Sequence, residues 1–364
     1  MDELGITGSW LTVNRYCNFR CQWCYAQDTE YKPSDDMDRS LAFNLIDLVG
    51  SVGVKKILFI GGEPTFWRYL GEAAGYVKAL GMKPVLVTNG YLLGQPRYFD
   101  KFRRMPFDAV GVSVKAGNNL QHDNLTQTKG KFESVLDGIT AARTLDIEVT
   151  ASVVVSSLVA DNLVEIVSQI AERDPQMISI QFCTPVWVND QAQRGYMIEP
   201  AQGIRLIADN YDQLLELTGG RMLVESMFPL CAWPPELLQE MMASGTITFG
   251  CHVRTRSGLI FDTDGSVLPC NGLTHLQLGK YGEDFEDAEG FADFWQTTQV
   301  FSDQLVTYPT KTCINCGAYD YCGGGCSLHW FILDPDKHIP TKGGDGHVNA
   351  VKKGLECSQR AQGD

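Results

Sequence analysis

The sequence predicts an α/β protein: a partial (β/α)6 barrel followed by a loop-rich, cysteine-rich extension. Three observations lead there. Between residues 10 and 185, short apolar runs alternate six times with helix-period stretches. From about residue 200 that rhythm breaks. Of the 12 cysteines, three crowd residues 17–24 and seven lie beyond residue 250. Apolar strands alternating with helices indicate a parallel sheet covered on its helical side.

The strand candidates in order are WLTVN (10–14), KILFIGG (56–62), KPVLVTNG (83–90), AVGVSVKAG (109–117), VTASVVVSS (149–157) and ISIQFCTP (178–185). Between them SLAFNLIDLVGSVG (40–53) and KFESVLDGITAARTLD (131–146) carry helical spacing. Six units favour an open or partial barrel over a flat doubly wound sheet, and in such barrels the loops after the strand C-termini build the site. Residues 1–200 are expected to form this unit. Residues 201–245 read as a helical linker: 200–220 has an apolar stripe and a glycine stop, and 235–244 begins at a proline pair. Residues 246–364 read as the extension, opening with a hairpin in GLIFDTDGSVLPC (258–270) around an Asp-Gly turn.

The chain has 364 residues and a formal charge of −14, so its overall field repels phosphate backbones and nucleic acid is not the expected partner. No apolar run reaches membrane-spanning length and the first residues carry no export signal, so the expectation is a cytoplasmic protein with no membrane association. In a reducing compartment clustered thiols read as metal ligands before disulfides.

The stretch VNRYCNFRCQWCYAQ (13–27) places Cys17, Cys21 and Cys24 at C-x3-C-x2-C. Iron–sulfur clusters ordinarily take four protein thiolates, and a structural zinc site closes with four ligands. No fourth Cys or His lies in the loop, which favours a cluster with one open iron over zinc or a disulfide. This stretch resembles the signature of the radical SAM superfamily. There the open iron binds S-adenosylmethionine (SAM), and one-electron cleavage yields a 5′-deoxyadenosyl radical that abstracts hydrogen from substrate. The resemblance implies that Trp23 lies near the adenine.

FIGGEPT places Gly61, Gly62 and Glu63 just past the second strand. Paired glycines allow close backbone approach, and a carboxylate can accept from an ammonium; the stretch is similar to the family's GGE motif, which holds the methionine amino group. Ser113 and Lys115 in VSVKAG resemble the family's ribose-contacting segment. Asn89 and Ser156 are further candidates, with ordinary turn or cap roles as the alternative.

CINCGAYDYCGGGC places Cys313, Cys316, Cys322 and Cys326 at C-x2-C-x5-C-x3-C, with Cys251 and Cys270 before it and Cys357 after it. This arrangement resembles the SPASM extension of radical SAM peptide and protein maturases, such as anaerobic sulfatase-maturing enzymes, which carries two auxiliary 4Fe–4S clusters. The resemblance implies three clusters in all. Cys251, Cys270 and Cys326 would hold the first auxiliary cluster, and Cys313, Cys316, Cys322 and Cys357 the second. Cys231 reads as an ordinary buried cysteine, with completion of the first auxiliary cluster as the alternative. His252 and His329, near Cys251 and Cys326, are supporting groups.

Two residues are candidates for the chemistry itself: Cys183 as hydrogen donor and Asp190 as base. Packing under a strand end and ordinary surface exposure are their respective alternatives. The resemblance implies a peptide or protein substrate, oxidised or cross-linked, and an electron donor of flavodoxin or ferredoxin type. Many such maturases carry an N-terminal leader-binding domain, whereas here the first strand candidate starts near residue 10. Either a separate protein recognises the leader, or the barrel and extension grip the substrate alone, or the substrate is a small molecule such as a sugar or alcohol that is dehydrogenated or epimerised. A cluster-bearing scaffold or electron carrier is the non-enzymatic alternative.

Overall fold

The computed structural model describes residues 4–26, 32, 34–188, 191–273, 276–298 and 308–340. Among the described residues its framework is one eleven-stranded sheet. Six strands follow the predicted alternation: β1 Gly8–Thr12, β2 Lys56–Ile60, β3 Lys83–Thr88, β4 Ala109–Val114, β5 Glu148–Val155 and β6 Met177–Phe182. Each pairs in parallel with the next, as in Leu11↔Phe59, Val112↔Ala151 and Val153↔Ile180. All six C-terminal ends therefore lie along one edge.

The intervening helices are α1 Arg39–Ser51, α2 Leu70–Ala79, α3 Pro96–Phe102, α4 Asn119–Thr126, α5 Phe132–Ala142 and α6 Leu163–Ala171. The Asp38 carboxylate accepts from Ser40 N at 2.8 Å and starts α1. α6 turns Leu163, Ile166, Val167 and Ile170 inward, and α5 does the same with Val135, Leu136 and Ile139. Against them pack Val110, Val112, Val149, Ala151 and Val153 of the strands. Burying each such Val, Leu or Ile contributes about 1.5–3 kcal/mol. In β3, β4 and β5 buried positions alternate with half-buried ones. One sheet face is thus sealed by helices, while the other is only partly covered.

The sheet continues beyond these six strands. β7 Val186–Val188 and β8 Gln191–Gln193 form a separate antiparallel ribbon after β6. α7 spans Pro200–Thr218, begun by its proline and ended by Gly219 at φ 59°. β9 Met222–Glu225 then pairs with β6, and β10 Ile247–Thr248 pairs with β9, on either side of α8 Pro235–Ala243. The sequence reading marked no strand at either place, because β9 and β10 have only four and two residues, too few to show a period.

At the other edge, after the short α9 His252–Thr255, the expected hairpin is present: β11 Gly258–Phe261 pairs antiparallel with β12 Ser266–Leu268. β11 also pairs in parallel with β1 from Gly8↔Gly258 to Leu11↔Phe261. The extension's first strand therefore prolongs the sheet. The short β13 Gly279–Lys280 closes that side, followed by α10 Ala288–Thr297. Residues 308–340 hold only helical turns of four or five residues. No helix among the described residues is long and apolar enough to cross a membrane.

Candidate active site and cysteine clusters

The loop after β1 carries Cys17, Cys21 and Cys24, and backbone groups from several elements fix its path. Gly62 N donates to Asn14 O at 2.8 Å and Glu63 N to Tyr16 O at 2.7 Å. On the other side Arg20 N and Gln22 N donate to Thr126 O and Leu125 O at the end of α4. Phe19 is buried and meets His122 edge-on at 5.2 Å. Lys131 donates to Asn18 O at 3.2 Å. Arg15 forms an ion pair with Asp262 of the β11–β12 turn, and both side chains are buried. One cysteine loop is thereby tied to β2, α4 and the extension.

The paired glycines are explained by this packing. A Cβ on Gly62 would lie 2.3 Å from Tyr16 O, and one on Gly61 2.5 Å from Asn14 O. Their bareness admits the cysteine loop itself. Glu63, expected to face an ammonium, is 1% exposed and its carboxylate accepts from four protein donors. Oε1 takes the Thr65 N–H and the hydroxyls of Thr65 and Thr88, while Oε2 takes Asn89 N–H at 2.7 Å. Burial raises its pKa and the four donors oppose that rise. The carboxylate thus pins the end of β2 to the end of β3.

Asn89 stands at the end of β3, where its amide donates to Asn18 Oδ1 at 2.8 Å and approaches Cys17 Sγ at 3.9 Å. At the end of β4, Lys115 donates to Ser113 Oγ, and its charge lowers the pKa of Cys21 against the larger effect of burial. These candidates gather around the loop. Trp23 is buried in the main core. Ser156 is fully buried and its hydroxyl accepts from Leu158 N at 3.3 Å, a turn-closing contact. Cys183 follows β6, is 5% exposed, and donates to Thr184 O at 3.6 Å. Burial pushes its thiol up to about 12, which keeps the S–H intact. Asp190 lies outside the described residues.

Sequence reading missed a polar row on the half-covered face. Ser113 is in register with Ser152, and Ser152 with Ser179. Glu225 of β9 accepts from Ser179 Oγ at 2.5 Å and from Gln181 Nε2 at 3.0 Å. Its signal was faint but present: polar residues at every second place in VSVK, TASV and ISIQF.

The later cysteines separate into two groups. Cys251, Cys270 and Cys326 pack around Val253, Leu273 and Leu328. Cys313 and Cys316 lie with Tyr319, Ile339 and Trp330, and Cys231 is in that second group. Neither reading made for Cys231 from the sequence placed it there. Its partners stand more than 80 positions away in the chain, and only folding brings them close. Cys357 lies outside the described residues. Gly323, Gly324 and Gly325 all have positive φ, at 62°, 73° and 82°, and a Cβ on Gly323 would strike Arg254. His252 Nε2 donates to Pro269 O at 3.1 Å, next to Cys270. His329 is fully buried, stacks on Phe228 at 5.8 Å, and has its pKa pushed down to about 4 by burial.

These residues fit iron–sulfur clusters. In each of the three cysteine groups a backbone N–H points at a sulfur: Phe19 N to Cys17 at 3.4 Å, Gly272 N to Cys270 at 3.4 Å, and Leu230 N to Cys322 at 3.2 Å. Such donors tune thiolate-bound clusters. Burial pushes Cys17 up to about 12 and Cys270 to about 11, so thiolate formation would accompany metal loading. Among the described residues no three His, Cys, Asp or Glu converge on a single ion. A cluster does not need such convergence, since each sulfur bonds a different iron.

Residues 11–170 match the Radical SAM superfamily. An AdoMet-dependent heme synthase of Methanosarcina barkeri (strain Fusaro / DSM 804) is 25% identical over 317 residues, 85% of this chain and 87% of its own. An Fe-coproporphyrin III synthase of the same organism is 35% identical over 127 residues, 35% of this chain and 31% of its own. A GTP 3′,8-cyclase of Staphylococcus carnosus (strain TM300) is 30% identical over 198 residues, 50% of this chain and 56% of its own. The chain thus spans less than two thirds of these last two relatives. Among solved structures, anSMEcpe with bound AdoMet and Kp18Cys peptide aligns over 98% of both chains with a TM-score of 0.66 at 17% identity. Streptococcus suis SuiB bound to precursor peptide SuiA aligns over 89% of this chain and 72% of that one, with a TM-score of 0.66 at 16% identity. Both likenesses are of fold.

Proposed function

We propose that this chain, a radical SAM enzyme by the domain at residues 11–170, acts on a peptide or protein, oxidising or cross-linking side chains of a ribosomally made peptide. The observation that carries the radical chemistry is the three-cysteine loop, backed by Gly61, Gly62 and Glu63 at the C-terminal edge of a parallel sheet. When bound there, a 4Fe–4S cluster with SAM supplies a radical able to take hydrogen from an unactivated C–H bond. Cys17, Cys21 and Cys24 would provide three thiolates to that cluster. Phe19 N–H and the Asn89 amide face the Cys17 sulfur. Ser113 and Lys115 offer hydroxyl and ammonium donors to the cofactor's polar groups. Cys183, with its S–H retained by burial, is the candidate to return a hydrogen atom, and Asp190 the candidate base.

The β7–β8 ribbon supports the peptide reading. It follows β6 on the site's edge and its two strands pair only with each other, among the described residues. An extended peptide adding a strand to this ribbon would fit the peptide reading. The likeness of fold, over nearly the whole chain, to structures solved with peptides points the same way. The three-cluster count, a flavodoxin- or ferredoxin-type donor and a separate leader-recognition protein belong to this proposal. A second reading, a small-molecule substrate and specifically a tetrapyrrole, is favoured by the heme synthase relative.

Mass spectrometry after anaerobic incubation with SAM, reductant and peptides encoded beside the gene, in deuterated water, tests the choice. A peptide lighter by two hydrogens supports oxidation or cross-linking, and a gain of one deuterium indicates epimerisation. Release of 5′-deoxyadenosine with unchanged peptides, alongside conversion of an added iron porphyrin, selects the second reading.

A further inference from the structure

We propose that Cys231 is the fourth protein thiolate of the cluster site formed by Cys313, Cys316 and Cys322. This rests on the reading of the C-terminal cysteines as cluster ligands. The resemblance gives that place to Cys357, and it gives Cys231 no role.

Three contacts bring the segments together. Cys231 packs with Cys313 and Cys316 in one small group that also holds Tyr319, Ile339 and Trp330. The residue before it, Leu230, donates its backbone N–H to Cys322 Sγ at 3.2 Å. Cys326 N donates to Met227 O at 2.8 Å, and a Cβ on Gly325 would lie 2.9 Å from that same oxygen. The Cys231 segment and the Cys322–Cys326 segment thus run against one another, and the glycine makes the approach possible.

The Cys231 turn is itself rigid. Leu230–Ala232 is a 3-10 turn closed by Ala232 N to Pro229 O at 3.0 Å and Trp233 N to Leu230 O at 3.2 Å. Trp233 is 1% exposed and its indole N–H meets Ser226 Oγ at 3.3 Å. A thiol on such a turn pays little conformational entropy to bind metal. Four thiols in one place also match a zinc site in composition, and the metal bound decides between the two.

The test is metal and sulfide analysis with electron paramagnetic resonance on anaerobically reconstituted full-length protein. Wild type is expected to hold about twelve irons, four in each of three clusters. Cys231→Ala should lose about a third of the iron and sulfide, together with one set of resonances, while the resonance that shifts on adding SAM stays. Cys322→Ala should lose the same set, and the Cys231→Ala/Cys322→Ala double variant no more than either alone. Cys231→Ala with full iron and an unchanged spectrum, while Cys357→Ala loses a cluster, overturns the assignment. About four irons in wild type overturns both this assignment and the auxiliary-cluster reading, whereas zinc in place of the lost iron overturns the cluster here.

Discussion

The two cysteine regions of this molecule are held by different means. The loop of Cys17, Cys21 and Cys24 is clamped by backbone hydrogen bonds to β2 and α4, by the Glu63–Asn89 network and by the buried Arg15–Asp262 pair. The segment of Cys313, Cys316, Cys322 and Cys326 has helical turns of four or five residues, a run of three left-handed glycines, and apolar groups of three buried residues each. Helices that short do not persist by themselves. On the proposed reading, the site that would bind and release SAM is built on the sheet, and metal held by the later cysteines would also help to fold the chain around it.

The largest effect expected from this contrast follows cluster removal. After anaerobic chelation of the metal, hydrogen exchange in Lys311–His338 should accelerate toward unfolded rates, while β2 to β6 keep their protection. Equal loss in both regions would show that the sheet also depends on metal. A smaller effect concerns the link between the regions. Asp262→Ala leaves the Arg15 guanidinium buried without that carboxylate and should cost about 3–5 kcal/mol in urea unfolding. The Arg15→Met/Asp262→Leu pair should recover much of it, and a single-variant loss near zero would remove the ion pair as the clamp.

The smallest effect is a pH dependence under the first loop. Burial holds His122 down to about 4 from its ordinary 6.5, with Asp123 opposing and Lys115 and Lys131 assisting. The unfolded chain therefore takes up this proton before the folded one does. The stabilising contribution is full above about pH 6.5 and declines as pH falls toward 4. Denaturation midpoints of wild type and His122→Gln should converge over that window as pH falls, and parallel curves would discard the effect.

Much of this was legible in the chain. All six strands β1 to β6 coincide with apolar runs, and the helix from Pro200 ends at the glycine that marked its stop. The hairpin at 258–270 formed where Asp-Gly announced it. At the site, the gathering of Asn89, Ser113 and Lys115 by the cysteine loop follows from their places after parallel strands. The four hydrogen bonds that hold Glu63 were not legible, because they come partly from the end of β3. Nor was the row of Ser152, Ser179, Gln181 and Glu225, because a polar residue in a strand declares its neighbours only when the register is known.

The amino-acid sequence by itself determined the alternation, the two cysteine spacings and the glycines that tight approaches demand, since each is a property of residues close together along the chain. Tertiary structure alone decided that β11 joins β1, that Arg15 meets Asp262 across 247 positions, and that Cys231 falls beside Cys313 and Cys316 while Leu230 reaches Cys322 across 92. Those partners share no local period; they meet because parallel pairing and apolar burial of the whole sheet leave the segments that carry them no other place to pack.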